Sequence, residues 1–182
     1  MSSRDFIIGR VWVYQDDINT DYIAPRVSRF DMLPWERRWE EMGRAALEGT
    51  PREKGTPDFG KKCKEGDIIV AGLNFGCGSS REEAALVLKA AGAGAVVAES
   101  FARIWYRNAV NNGLLAVECR GVADLFQEGD EMQLDVATGK VKNRETGSTL
   151  HFKPIPEFVR EMLDEGGLIP HLKKKLKERA GN

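Results

Sequence analysis

The sequence predicts an α/β fold in which parallel central strands are followed by antiparallel hairpins. Short apolar runs at residues 66–72, 95–99 and 114–118 alternate with helical patterns, the order expected for parallel strands joined by helices. Residues 131–152 instead alternate in polarity around a Thr138-Gly139 turn, which is typical of hairpins. The carboxyl ends of the parallel strands are where such sheets place ligands.

Further elements are predicted before and after these strands in the sequence. Residues 6–14 are rich in β-branched and aromatic side chains and predict a strand with a bulge at Gly9. Residues 50–62, with two prolines and two glycines, predict a loop. The last helix is expected at residues 156–165, and the basic run 173–177 is a solvated helix face or a tail.

Two more helices are predicted from side-chain periodicity. In residues 34–47 the apolar positions recur at helical spacing and are Trp35, Trp39, Met42 and Ala46. In residues 101–112, which Ser100 is expected to cap, the inward positions are Phe101, Ile104, Trp105 and Ala109.

Composition narrows the class of protein. With 182 residues and 42% hydrophobic content, one compact domain is expected. A net charge of −1 gives no general attraction for nucleic acid. No apolar run approaches the roughly 20 residues that span a bilayer, and the amino terminus lacks a signal-peptide pattern, so a cytoplasmic protein is expected.

The cysteines are too few and too far apart to organise a metal site. Cys63, Cys77 and Cys119 are odd in number and contain no Cys-x-x-Cys spacing, which argues against disulfides and against a zinc site. An iron–sulfur cluster held by this chain alone is not expected, because such clusters need several closely placed thiolates. Cys77 is expected to be a small buried thiol.

The chemistry is predicted at residues 74–83, Asn-Phe-Gly-Cys-Gly-Ser-Ser-Arg-Glu-Glu, where a glycine-rich loop enters a helix. Ser80 and Glu83 fit a capping box, which predicts that the helix begins at Ser80. The free N–H groups of a helix start bind anions, and Gly76 and Gly78 allow close approach of a ligand to the main chain. Arg81 has the fork geometry that suits a carboxylate. These features together indicate an anion site.

Other interpretations of the polar loops compete with this one. A serine cap beside a solvated arginine needs no ligand. Both nucleotide-binding signatures fail, since Arg81 stands where the dinucleotide motif needs glycine and no Gly-Lys-Ser/Thr occurs. Residues 17–21 copy the opening of a calcium loop, but Tyr22 replaces its glycine, so calcium binding is disfavoured.

Three blocks of sequence resemble the small, swivel-domain subunits of aconitase-type hydro-lyases, most closely those of the 3-isopropylmalate dehydratase family. The blocks are Asn19-Thr20-Asp21, residues 74–82, and residues 100–108 followed by Asn111-Asn112-Gly113. The resemblance implies a swivelling β/β/α fold as in the aconitase C-terminal domain. Residues 1–182 would form one such domain, with a helical insertion at about residues 31–60.

The resemblance also implies roles for individual residues. Ser79 is expected to be the base that moves the proton on carbon, and Ser80 and Arg81, with Gly78, to hold a substrate carboxylate. Asp21 matches an active-site acid. The chain should be active only with a large subunit that carries a [4Fe–4S] cluster and takes the substrate hydroxyl; this chain itself is expected to bind no cofactor.

The substrate is left open by the loop after Asp21. Arg26 and Arg29 either pair with an additional carboxylate of the substrate or face solvent or the large subunit. Isopropylmalate is the leading substrate, followed by homocitrate-like, citrate-like and dimethylmalate-like acids. A non-catalytic module that binds an organic acid or phosphate is the alternative from another class.

Overall fold

The described residues of the computed structural model, 6–24, 30 and 33–180, contain one curled sheet of seven strands. The strands are β1 (Phe6–Tyr14), β2 (Ile68–Ala71), β3 (Ala95–Ala98), β4 (Leu115–Glu118), β5 (Glu131–Asp135), β6 (Lys140–Asn143) and β7 (Thr149–His151). Their order across the sheet is β4-β3-β2-β1-β5-β6-β7.

Strand β1 joins a parallel half of the sheet to an antiparallel half. Its second part, from Val11 onward, pairs in parallel with β2, and β2–β3 and β3–β4 are also parallel. Its first part, through Arg10, pairs antiparallel with β5, and β5–β6 and β6–β7 continue that pattern. Strands β2 and β3 are buried at every position, as continuous apolar strands covered on both faces should be. This arrangement confirms the predicted fold class.

The helices vary greatly in length. They are α1 (Thr20–Ile23), α2 (Trp35–Arg44), α3 (Phe59–Lys62), α4 (Glu83–Ala90), α5 (Arg103–Asn111), α6 (Val122–Leu125), α7 (Glu157–Asp164) and α8 (Leu168–Ala180). Helices α2, α4 and α5 cover one face of the parallel strands, where their side chains share a core with Ile69 and Val96. Side chains of α6 and α7 cover the other face, with Ile68 and Val97. Successive strand residues therefore enter opposite cores.

The helix expected at residues 34–47 is present as α2. Met42 and Ala46 are buried and Trp39 packs against the core, as the spacing predicted. The side chain of Trp35 lies outside the described part. None of the described helices is both long enough and apolar enough to cross a membrane.

The bulge predicted at Gly9 is wrong. The register with β5 runs without offset through Gly9, which faces Met132. A glycine is needed there because a Cβ would lie 2.2 Å from the carbonyl oxygen of Gly66. The residue marks a close approach of two backbone segments rather than an irregular strand.

Two further details of the structure differ from what the sequence predicts. The predicted loop at residues 50–62 ends in the short helix α3, because Phe59 is fully buried with its ring against the edge of Trp12, 5.4 Å between centroids. The inward position predicted for Ile104 is also wrong, since its side chain is 55% exposed. Trp105 and Ala109, four residues apart, define the buried face of α5, and Ile104 lies one step around the helix from it.

The basic run forms part of a helix, α8, which is fixed to the end of α7. Glu165 accepts a hydrogen bond from Nζ of Lys174 at 2.6 Å and pairs with Nδ1 of His171. These two partners, Lys174 first, lower the pKa of the Glu165 carboxyl below its ordinary value. The ionised form of the carboxylate is therefore the one that these contacts with α8 favour.

Replacing this carboxylate tests its role. We expect Glu165→Gln to speed amide hydrogen exchange in α8 at neutral pH while exchange in the sheet stays the same. Because the folded-state pKa is lowered, the wild-type contact is complete above the ordinary glutamate pKa and is lost as the pH falls through the lowered value. Wild-type α8 should therefore loosen in acid, at a pH below the ordinary pKa of a glutamate carboxyl.

Glu157→Gln, which removes the same charge from the start of α7, is the matched control and should leave α8 unchanged. Equal exchange rates in α8 for the wild type and Glu165→Gln at neutral pH would show that the contact does not hold the helix.

Candidate active site

The loops that follow β1 and β2 are joined by backbone hydrogen bonds beyond the ends of the strands. The bonds run from Asp17 N to Leu73 O (2.9 Å), from Gly76 N to Ile18 O (2.7 Å) and from Thr20 N to Cys77 O (2.8 Å). The two loops thus continue the parallel pairing of their strands past the sheet edge. This pairing brings the block at residues 19–21 beside the glycine-rich loop.

The loop after β3 is joined to the glycine-rich loop from the other side. Phe75 N donates to Ser100 O at 3.0 Å, and Ala102 N donates to Phe75 O at 2.9 Å. The Ser100 hydroxyl accepts from Asn74 N at 2.9 Å. The predicted cap is therefore wrong: α5 begins at Arg103 without a side-chain cap, because the Ser100 hydroxyl bonds to the neighbouring loop instead.

An aromatic cluster fixes the position of the glycine-rich loop. The ring of Trp105 stacks on Phe101 with 5.4 Å between centroids and meets Phe75 edge-on at 4.9 Å. Gly76 lies against this indole with φ of +80°, and a Cβ there would be 2.2 Å from Trp105 Cγ. Both the conformation and the contact require glycine.

Ser79 lies at the centre of a small polar cluster. Its Oγ is 3.0 Å from Thr20 Oγ1 and accepts from Arg81 Nε at 3.0 Å. Its backbone N donates to the same Thr20 Oγ1 at 3.1 Å. A terminal nitrogen of Arg81 pairs in turn with a carboxylate oxygen of Asp21. The structure therefore brings together the sequence-predicted residues Ser79, Arg81 and Asp21.

The cluster faces outward. Ser79 and Ser80 are exposed, the side chain of Asp21 is 79% exposed, and that of Arg81 is 27% exposed. Gly78, with φ of +97°, turns the chain so that both serines lie on this surface. Two hydroxyls and a guanidinium on one open face can bind a carboxylate, and the arginine contact favours a deprotonated Ser79 oxygen.

The capping box predicted at Ser80 is not formed. Helix α4 begins at Glu83, and its N-cap, Glu82, makes no side-chain cap. The Ser80 carbonyl instead accepts from Nδ2 of Asn108 at 3.4 Å. Because Thr20 holds Ser79 in the loop, the chain stays non-helical through Arg81. The Ser80 side chain therefore does not cap α4, which begins later in the chain, at Glu83.

Thr20 is the site residue that the sequence reasoning missed. It is fully buried and its hydroxyl contacts Ser79 directly. The signal that could have indicated Thr20 was its place in the Asn19-Thr20-Asp21 block. Its neighbour Asn19 caps helix α1, where Oδ1 accepts from two backbone nitrogens at 2.9 Å.

The remaining candidates contribute less. Cys77 is half-buried, and burial, followed by the charge of Asp17, raises the pKa of its thiol. Over residues 6–24, 30 and 33–180, no three His, Cys, Asp or Glu side chains are grouped so that they could hold a metal ion. Arg26 and Arg29 lie outside the described residues.

Comparison with known proteins identifies the family. The isopropylmalate/citramalate isomerase small subunit of Methanocaldococcus jannaschii is 48% identical over 96% of this chain and 98% of its own. The 3-isopropylmalate dehydratase small subunit 1 of Methanopyrus kandleri is 47% identical over 94% of this chain and 95% of its own. The chain belongs to the 3-isopropylmalate dehydratase small-subunit family. This confirms the family predicted from the three blocks.

A solved structure and a family model agree with this family. A crystal structure of 3-isopropylmalate dehydratase from Methanocaldococcus jannaschii superposes with a TM-score of 0.83 at 36% identity, covering 97% of this chain and 98% of the other. The family model of the aconitase C-terminal domain matches residues 38–121, which include Ser79 and Arg81. Dehydratase small subunits are parts of hydro-lyases, and the words "small subunit" in the relatives' names imply a large partner.

The aromatic support of the loop can be tested by one substitution. We expect Gly76→Ala to lower the free energy of unfolding by about 3 kcal/mol or more, because it adds a clash with Trp105 to the strain of a positive φ. Urea denaturation followed by tryptophan fluorescence measures the change.

Gly147→Ala is the matched control, since Gly147 has φ of +76° and a Cβ added to it would meet no atom within 4 Å. Its free energy of unfolding should fall by only about 1 kcal/mol. If the two variants lose equal stability, packing against the indole does not determine the loop position.

Proposed function

We propose that this chain provides the proton-transferring serine and the carboxylate contacts of an isopropylmalate or citramalate isomerase. The observation that carries the proposal is the exposed cluster in which Ser79 Oγ accepts from Arg81 Nε while Asp21 holds the same guanidinium. Two relatives of nearly equal length are named as the small subunits of an isopropylmalate/citramalate isomerase and of a 3-isopropylmalate dehydratase. As in their names, the chain would act as a small subunit.

In this proposal Ser79 acts as the base. A serine hydroxyl is too weakly acidic to serve unaided near neutral pH. The Arg81 Nε–H and the positive charge of the guanidinium stabilise negative charge on Oγ, which favours the alkoxide. In the dehydration step the substrate C–H bond breaks, its proton passes to Oγ of Ser79, and the electron pair forms the double bond as the hydroxyl leaves.

Ser80 and Arg81 would position the substrate through a carboxylate. Asp21 already occupies one terminal nitrogen of Arg81, so it sets the angle at which the guanidinium faces a ligand. The Ser80 side chain is exposed beside it, and Gly78 allows close approach from the same surface. The substrate would be held on one side of Ser79 with its reactive carbon near Oγ.

Loss of the hydroxyl needs an electrophile, and we place it on a large subunit. We propose that this partner holds a [4Fe–4S] cluster, since the three cysteines of this chain are far apart in sequence and such clusters need several closely placed thiolates. When bound there, the cluster supplies a Lewis acid for the departing hydroxyl. The open surface around Ser79 fits this division, because a partner must cover it to exclude water. The free cysteines suit a reducing compartment, and we place the enzyme in the cytoplasm.

Removal of the proposed base is the direct test. In a pair reconstituted with its large subunit and cluster, Ser79→Ala should lower kcat by about 10²- to 10⁴-fold, the usual contribution of general base catalysis, with little change in KM. The fold should be kept with only a modest loss of unfolding temperature, because the Ser79 side chain is exposed but its Oγ contacts the buried Thr20 hydroxyl.

Ser148→Ala, a change of an exposed serine in the antiparallel half, is the control and should keep full activity. Near-normal kcat for Ser79→Ala would refute the assignment of the base. Tight binding of organic acids by this chain alone, with no turnover by the wild-type pair, would support a binding module instead.

The substrate can be assigned by kinetics. The wild-type pair should give its highest kcat/KM with 3-isopropylmalate or citramalate among a panel that includes citrate, homocitrate and dimethylmalate. If Arg26 and Arg29 pair with a substrate carboxylate, changing both to Gln should alter the order of kcat/KM within the panel. An unchanged order would remove these two residues from substrate selection.

A further inference from the structure

The buried hydroxyl of Thr20 makes two contacts to one residue 59 positions away in the chain. Thr20 Oγ1 accepts from the backbone N of Ser79 at 3.1 Å and lies 3.0 Å from its Oγ. Thr20 is 0% exposed, so its hydroxyl proton is shielded from bulk water. Among the described residues, Ser79 supplies both contacts.

These contacts decide which hydroxyl donates. If Ser79 donated to Thr20, the Thr20 oxygen would accept twice and its own proton would be buried without an acceptor, which costs free energy. If Thr20 donates, its proton, its accepted bond and the Ser79 oxygen are all satisfied. The second arrangement leaves the proton of Ser79 directed to the open face.

We propose that Thr20 is a positioning residue that donates its hydroxyl proton to Ser79 Oγ. This inference rests on the proposed function of Ser79 and adds a second donor to Arg81 Nε. Two donors that converge on one oxygen form an anion hole built for the enzyme's own base, while the lone pair that receives the substrate proton points outward. Burial strengthens the donor, because its hydroxyl has no competing water.

The contact predicts a graded effect of substitutions at Thr20. In the reconstituted pair Thr20→Val keeps the shape but removes the donor, and kcat should fall about 10- to 100-fold, as for loss of one hydrogen bond to a charged group. Thr20→Ser should restore most of the rate, and Thr20→Cys, a weaker donor, should be intermediate. KM should change little.

The pH profile separates this role from a merely structural one. Without the Thr20 donor the basic form of Ser79 requires a higher pH, so the rising limb of the kcat profile should move to higher pH. The loss of kcat relative to the wild type should therefore shrink as pH increases. Wild-type kcat for Thr20→Val, or a loss by the same factor at every pH, would overturn the proposal. Thr50→Val is the control, because Thr50 is also buried but its hydroxyl has no hydrogen-bond partner among the described residues, and it should keep the wild-type profile.

A second measurement does not depend on turnover. In the full wild-type chain the Thr20 hydroxyl proton should exchange slowly enough to be followed by NMR, and Ser79→Ala should accelerate its exchange by removing the acceptor. An unchanged exchange rate in Ser79→Ala would refute the hydrogen bond. This result distinguishes the two proposals, since the contact is tested even if the wild-type pair turns over none of the hydroxy acids.

Discussion

The site depends on the continuation of parallel pairing beyond the strands themselves. Once β1, β2 and β3 have ended, backbone bonds such as Thr20 N to Cys77 O and Phe75 N to Ser100 O still join the three loops. Side chains far apart in sequence therefore meet on one exposed face. The edge at which α/β sheets usually bind ligands here carries a preformed, exposed cluster of side chains.

Four side chains form one connected series on this edge. Asp21 fixes the guanidinium of Arg81, Arg81 contacts Ser79, and Ser79 contacts the buried Thr20. Only the Thr20 end is fully buried, while the Asp21 end lies in solvent. The buried end is the one that gains most from a single hydrogen bond, whereas the exposed ion pair is screened and acts mainly on geometry.

Local patterns predicted the strands well and two helix starts badly. Strands β2 and β3 are buried on both faces, so their sequences are continuous apolar runs that need no tertiary knowledge to recognise. Ser80 and Ser100 match local cap patterns, but both lie in loops held by other segments: Thr20 bonds to Ser79, next to Ser80, and Asn74 bonds to Ser100 itself. A hydroxyl that bonds to a distant partner cannot be distinguished from a cap by its sequence neighbours.

The same limit explains which site residues were predicted from the sequence and which were missed. The family blocks gave roles to Ser79, Arg81 and Asp21 but none to Thr20, although Thr20 lies in the same block as Asp21. Its contact with Ser79 spans 59 residues, and only the paired loops create it.

A preformed half-site also bears on how two subunits can share one reaction. If the serine loop had to be ordered when a partner docked, part of the association free energy would be spent on that ordering. Here Gly76 is already fixed against Trp105, and Ser79 is already bonded to Thr20 and Arg81. In the proposed assembly, docking of the large subunit would then need only to cover the open face and exclude water. Under the proposed function, free energy from the interface could therefore be used to hold substrate rather than to order the serine loop.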